Sequence, residues 1–187
     1  MITFNTFKEY QELALRTNSQ DASPTRNLQH AGYGLMTEVG ELIDAVKRLE
    51  FYKKPIDQVN FQEEVGDVLW YLAVGYKGLD LVMPEVENAE LNIKFQDESL
   101  EGLLKKLGHH SACFFTYYQS PENGLDYDLA RIMAALVKLA SNFNFDLIRA
   151  AQLNIEKLAK RFPEGFSEDK ALNRDKENEL SHFQEIE

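Results

Sequence analysis

Two acidic pairs constrain what this chain can fold into: Glu38-x-x-Glu41 and, after 22 intervening residues, Glu64-x-x-Asp67. Each lies in a long stretch whose apolar residues recur with a helical period. A helix advances about 100° per residue, so residues three apart share a face. On that wheel Leu28, Ala31, Leu35, Leu42, Ala45, Val46 and Leu49 form one apolar arc, with Glu38 inside it and Glu41 at its edge. Phe61, Val68, Tyr71, Leu72, Gly75 and Leu79 form the second arc, with Glu64 inside and Asp67 at the edge. Only a short turn around Pro55 separates the two stretches. The helices are therefore expected to be antiparallel neighbours with their acidic pairs at one level.

Carboxylates directed to a buried side need compensation, since each costs several kcal/mol unpaired and the four repel one another. Neither arc contains Lys or Arg. A hard divalent cation with oxygen ligands is the natural partner, and Mg²⁺ held this way shares its shell with substrate phosphates. Glu38, Glu41, Glu64 and Asp67 are thus the expected metal ligands, with Mn²⁺ as a substitute ion. The plain alternative is two amphipathic helices with solvated acidic edges.

Composition narrows the function classes. At 187 residues and 44% hydrophobic the chain can bury a core. Its net charge of −11 argues against non-specific binding to nucleic acid or anionic membrane. The longest apolar run, Val68 to Tyr76, is far too short to span a bilayer. One cysteine, Cys113, precludes an internal disulfide and fits a reducing cytoplasm. The first residues show no basic stretch followed by an apolar one, so no secretory signal is expected. No period-two strand, Gly-rich phosphate loop, Ser-His-Asp set or Cys-His cluster is evident, which leaves an all-α fold and metal-led chemistry.

Taken in order, the chain suggests a first helix over Phe4–Leu15 capped by Thr6 and Glu9. A polar connector follows from Thr17 to Asn27, then the acid-bearing helices Leu28–Tyr52 and Pro55–Leu79. Further helices are expected over Asp80–Phe95, Leu103–Tyr118, Leu129–Ala140 and from Asn144 or Asp146 to Phe162. His30 lies two turns before Glu38 and either approaches a nucleotide or packs at the helix start. Lys53 and Lys54 either meet the helix dipole or hold phosphate. Trp70, off the arc, either stacks on a base or packs in the interior. Asn154, Lys157 and Arg161 share one face of the last helix and either meet a triphosphate or form a solvated stripe.

The segments GLMTEVGELIDAVKR and FYKKPIDQVNFQEEVGDVLWYLA resemble the MazG-like nucleoside triphosphate pyrophosphohydrolases. These belong to the all-α NTP pyrophosphatase superfamily, with dimeric dUTPases among the relatives. The family signature is Glu-x-x-Glu, a variable gap, then Glu-x-x-Asp. NIEKLAKRFPEGFSEDKALNRD, from Asn154 to Asp175, resembles the closing segment of phage and bacterial members. About 80 residues separate the two blocks, where a compact member has a short link. The resemblance implies a helical bundle of the MazG and dimeric-dUTPase type. It also implies attack at the α-phosphorus of a nucleoside triphosphate, releasing monophosphate and pyrophosphate, with Glu38 or Glu41 orienting or deprotonating the water. Relatives assemble as dimers or tetramers, so a homo-oligomer is expected. A non-catalytic Mg²⁺- and nucleotide-binding sensor, or a helical interaction protein, is the alternative.

The chain reads as one domain over 1–187 with a weak internal repeat. Gly78–Phe95 is similar to Asn144–Leu158, so 28–95 would be the catalytic half of a fused pseudo-dimer, 100–166 a degenerate half and 167–187 a charged tail. Two registers fit this comparison, Asp80 on Asp146 or Asn92 on Asn154, and neither restores acidic pairs in the second half.

Overall fold

The computed structural model describes residues 3–86, 93–167 and 169. Among these residues the fold is all-helical: α1 Phe7–Leu15, α2 Pro24–Tyr52, α3 Gln58–Gly78, α4 Leu100–Tyr117, α5 Leu125–Phe143 and α6 Leu147–Arg161. A 3₁₀ turn, Pro121–Asn123, links α4 to α5. None of these helices is long and apolar enough to cross a membrane.

Local chemistry sets most of the boundaries. The Thr6 hydroxyl accepts from Glu9 N at 3.2 Å, and the Glu9 carboxylate accepts from Asn5 N at 2.6 Å. This is a capping box displaced by one residue at its return bond. α2 starts at Pro24, four residues before the expected Leu28, because Ser23 caps it and Pro24 fills the first turn. The connector is shortened accordingly. Asp57 caps α3 and Asp146 caps α6. α2 ends where Lys53 turns left-handed at φ 54°. The bounds of the helix expected over Asp80–Phe95 are corrected: 80–85 and 93–95 are not helical, Val86 has helical backbone, and 87–92 lie outside the described residues. Asp80 adopts φ 56° and stops α3. Most of the tail, 167–187, also lies outside them.

α3 is the central element. It packs on α1, α2, α5 and α6, while α4 and α5 form a second hairpin lying against α2. Burial on several sides explains why α3 carries Trp70, Val74 and Tyr76 in the interior beside the expected arc. Trp70 Nε1 donates to Ala14 O at 3.1 Å and Thr17 Oγ1 at 3.0 Å, tying α1 to α3. α6 comes close to α3 at Gly66. A Cβ there would lie 2.9 Å from Asn154 Cβ and 3.0 Å from Ala150 O. One contact is backbone, so α6 would have to move.

Gly66→Ala is therefore expected to lower stability by about 1–3 kcal/mol, the ordinary cost of overpacking. Chemical denaturation of the two proteins measures it; equal midpoints would show that α6 yields freely.

Candidate active site

α2 and α3 are antiparallel, and their acidic segments meet at one level. One oxygen from each of Glu38, Glu64 and Asp67 lies within 4.8 Å of the others. All three residues are half-buried. Glu41, expected at the arc's edge, is exposed and stands outside this group. One turn beyond Glu38, it borders the group from the solvent side.

The compensating charge differs from the sequence expectation. α6 supplies a cation that neither arc contains: Lys157, whose side chain is 1% exposed. Its ammonium donates to Asp67 Oδ1 and Oδ2, both at 2.7 Å, and to Glu63 Oε1 at 3.1 Å. An ammonium has three N–H bonds, and three acceptor oxygens are within reach. Asn154 Nδ2 donates to Asp67 Oδ1 at 2.6 Å. Two residues expected against a triphosphate thus hold the Asp67 carboxylate in this arrangement.

Electrostatics follow from this placement. Burial, then Asp67, Glu38 and Glu63, push the Glu64 carboxyl up to about 8. Burial and then Asp67 also raise Glu38. The Thr37 hydroxyl lies 3.0 Å from both Glu38 Oε1 and Gly34 O. Burial alone would pull Lys157 down, but Asp67 and Glu63 more than offset it and leave its ammonium raised. Tyr10 is fully buried, and burial followed by the Asp67 charge holds its phenol well above the usual range. Lys157 bonds Asp67 and Glu63 and leaves Glu38 and Glu64 without a cation of their own, so burial and then Asp67 leave both holding their protons more tightly. Three convergent carboxylate oxygens with one ammonium to the side suit a hard divalent cation.

The other expected residues are distributed unevenly. His30 packs edge-on to Trp70 and Tyr71, with ring centroids 5.5 and 5.4 Å away. Burial and then Arg26 lower its pKa. It also lines a cavity of about 910 Å³ with Asn18, Ser23, Arg26, Tyr33 and Phe166, at the N-terminal end of α2. Trp70 is held in the interior by its indole N–H and is not offered to a base. Lys53 and Lys54 lie fifteen and sixteen residues beyond Glu38, which puts them about 22 Å or more away along α2. The single chain does not bring them to the acids. The Arg161 guanidinium lies over the Phe162 ring at 5.7 Å. Glu63, adjacent to Glu64 in sequence and readable from it as a supporting group, takes that place through Lys157, which only the docking of α6 reveals.

Residues 26–109 match the family model of the MazG nucleotide pyrophosphohydrolase domain. This segment contains all four expected acids, and over it the chain is similar to MazG domains. The chain is also 28% identical over 101 residues to the "Gene 37 protein" of Mycobacterium phage L5, across 52% of this chain and 88% of that protein. No solved structure matches the chain significantly. Asn154 and Lys157 lie outside the matched segment.

Two outcomes are expected. Lys157→Met leaves Glu63 and Asp67 buried without their cation, a loss of about 3–5 kcal/mol in denaturant midpoints; a change under 1 kcal/mol would show that the pair is not anchored this way. For pH, a carboxyl raised on folding favours the folded state only while protonated. Metal-free stability attributable to Glu64 is therefore full below its ordinary 4.5 and falls as pH rises towards about 8. His30 and His110, both lowered, contribute the opposite slope near and below pH 6.5. The difference between wild type and Glu64→Gln isolates the carboxyl: in EDTA the variant should melt higher at pH 8 than wild type, with the gap closing by pH 5. A pH-independent difference would exclude a raised Glu64.

Proposed function

We propose that this protein hydrolyses nucleoside triphosphates, ribo- or deoxyribo-, between the α- and β-phosphates, giving monophosphate and pyrophosphate. The observation that carries this reading is the convergence of Glu38, Glu64 and Asp67 within a MazG domain segment. These three residues would hold Mg²⁺, or Mn²⁺ in its place, with Glu41 reaching in from the exposed side. The ion would neutralise phosphate charge and lower the pKa of bound water.

The chain's own groups divide the remaining work. Lys157 and Asn154 fix Asp67 from behind, so its carboxylate presents a constant face. Glu38 has Thr37 beside it and a raised pKa, and is the group to orient the attacking water and take its proton. The cavity at the start of α2 would take the nucleoside. Arg26 is the cation in its wall, and His30, held neutral by its lowered pKa, offers a ring nitrogen to base or sugar. Tyr33, Met36 and Ile43 form an exposed apolar line on α2, which supports association with a second copy. Nucleotide pool control or clearance in the cytoplasm is the setting that fits this chemistry.

The reaction is tested by incubating the protein with Mg²⁺ and a panel of nucleotides and resolving the products. Monophosphate with pyrophosphate is expected, and Glu38→Gln should lower turnover by at least a hundredfold while the helical circular dichroism is unchanged. Diphosphate with orthophosphate would overturn the cleavage position. Nucleotide binding without product would make the protein a sensor.

A further inference from the structure

The second hairpin, α4–α5, contains a buried polar set that the proposed chemistry does not use. His110 and Asp128 are 5% and 7% exposed. His110 Nδ1 lies 2.8 Å from Asp128 Oδ1, and Arg131 Nε donates to His110 Nε2 at 3.4 Å. His110 accepts from Arg131 on one side and so donates to Asp128 on the other. The result is a hydrogen-bonded row from guanidinium to imidazole to carboxylate, with one positive and one negative end. The Arg131 guanidinium also lies over Phe95 at 4.7 Å and Tyr127 at 5.6 Å.

The position of this set is fixed by how the helices end. After α3, Asp80 is left-handed at φ 56°; Asp80 N donates to Lys77 O at 3.1 Å and Leu81 N to Tyr76 O at 2.9 Å. After α5, Asn144 is left-handed at φ 55°; Asn144 N donates to Ser141 O at 3.3 Å and Phe145 N to Ala140 O at 3.1 Å. A single shift of 64 residues superimposes all of these features. The same shift carries the fully buried Phe61, Val65, Val68, Leu69 and Leu72 onto Leu125, Leu129, Ile132, Met133 and Leu136, also fully buried. It falls between the two registers that the sequence allows, 66 and 62. It places Asp128 on Glu64 and Arg131 on Asp67. The residue facing Glu64 across the first hairpin is Glu38; the residue facing Asp128 across the second is His110. Placing His110 on Glu38 is a shift of 72, and it carries the fully buried Ala31, Leu35 and Leu42 onto the fully buried Leu103, Leu107 and Phe114. Cys113 then falls on Glu41.

We infer that α4–α5 is an internal copy of α2–α3 in which the His110–Asp128–Arg131 row stands where the first hairpin has Glu38, Glu64 and Asp67. The first hairpin gathers like charges that attract a cation. The second neutralises itself with its own arginine and is a metal-independent structural site. The register stands on the helix ends and burial alone; its contrast with a metal-binding first hairpin rests on the function proposed above.

The experiment restores carboxylates in the second hairpin. In the full chain, His110→Glu with Arg131→Asp, keeping Asp128, should bind more Mn²⁺ per chain than wild type by electron paramagnetic resonance titration. Its melting temperature should fall in EDTA and recover in Mn²⁺. A folded variant with unchanged Mn²⁺ stoichiometry overturns the register. Should the variant not fold, Asp128→Asn decides: it should leave Mn²⁺ stoichiometry at the wild-type value and lower the melting temperature, because Arg131 loses the carboxylate at the row's far end. A drop in bound Mn²⁺ there would make the second hairpin a metal site and sink the inference. Wild type that binds no Mn²⁺ would count against the first-hairpin reading only, since the restored carboxylates still report on the register.

Discussion

The close approach of α6 to α3 at Gly66 governs the rest of the molecule. Without a side chain at that position, Asn154 and Ala150 come into van der Waals range of the helix. Lys157, one turn past Asn154, then reaches Asp67 and Glu63. A carboxylate buried on a central helix is costly alone and tolerable when a buried ammonium meets it. The lysine makes it possible for α3 to be both the hub of the core and a bearer of acids. It does so at one end of the group only. Asp67 is served, while Glu38 and Glu64 share a raised affinity for protons, which is the electrostatic state of a place awaiting positive charge.

Much of this was legible in the sequence because helical period and capping are local. The phase of Leu28, Leu35 and Leu42 with Glu38, and of Val68 and Leu72 with Glu64, is enough to place three acids on facing helices. Ser23-Pro24 was a readable start signal for α2 that the polar character of Thr17–Asn27 obscured. Asp80–Phe95 has apolar residues at helical spacing, yet Asp80 closes α3 in a left-handed turn instead of opening a new helix. What a wheel cannot show is a helix buried on several sides. Glu63 points away from Glu64 on α3, and solvent would be its ordinary surroundings; only α6, docking from that direction, makes it interior. The same blindness hid the carboxylate partners of Lys157, whose spacing with Asn154 and Arg161 suits a solvated stripe equally well until the partner helix is in place.

The two hairpins also illustrate how one scaffold accommodates opposite charge patterns. On the inferred register, a row that is neutral within itself and a cluster of carboxyls short of positive charge occupy equivalent heights between similar apolar layers. Helix packing is indifferent to which is present, provided the interior sees no unbalanced charge. Coordination chemistry is not indifferent. The difference between the halves lies in the polar residues between the apolar layers, not in the layers themselves.

The single tryptophan gives the molecule a built-in reporter. Trp70 joins three neighbourhoods at once: its indole N–H is held by α1 and the segment after it, its ring meets Tyr71 on α3, and His30 approaches from the wall of the large cavity. Indole emission responds to hydrogen bonding at the nitrogen and to quenching by a neighbouring imidazole. Fluorescence from this one residue therefore registers the seating of α1 on the core and the filling of the cavity beside His30, with no label attached and no second indole to confuse the signal.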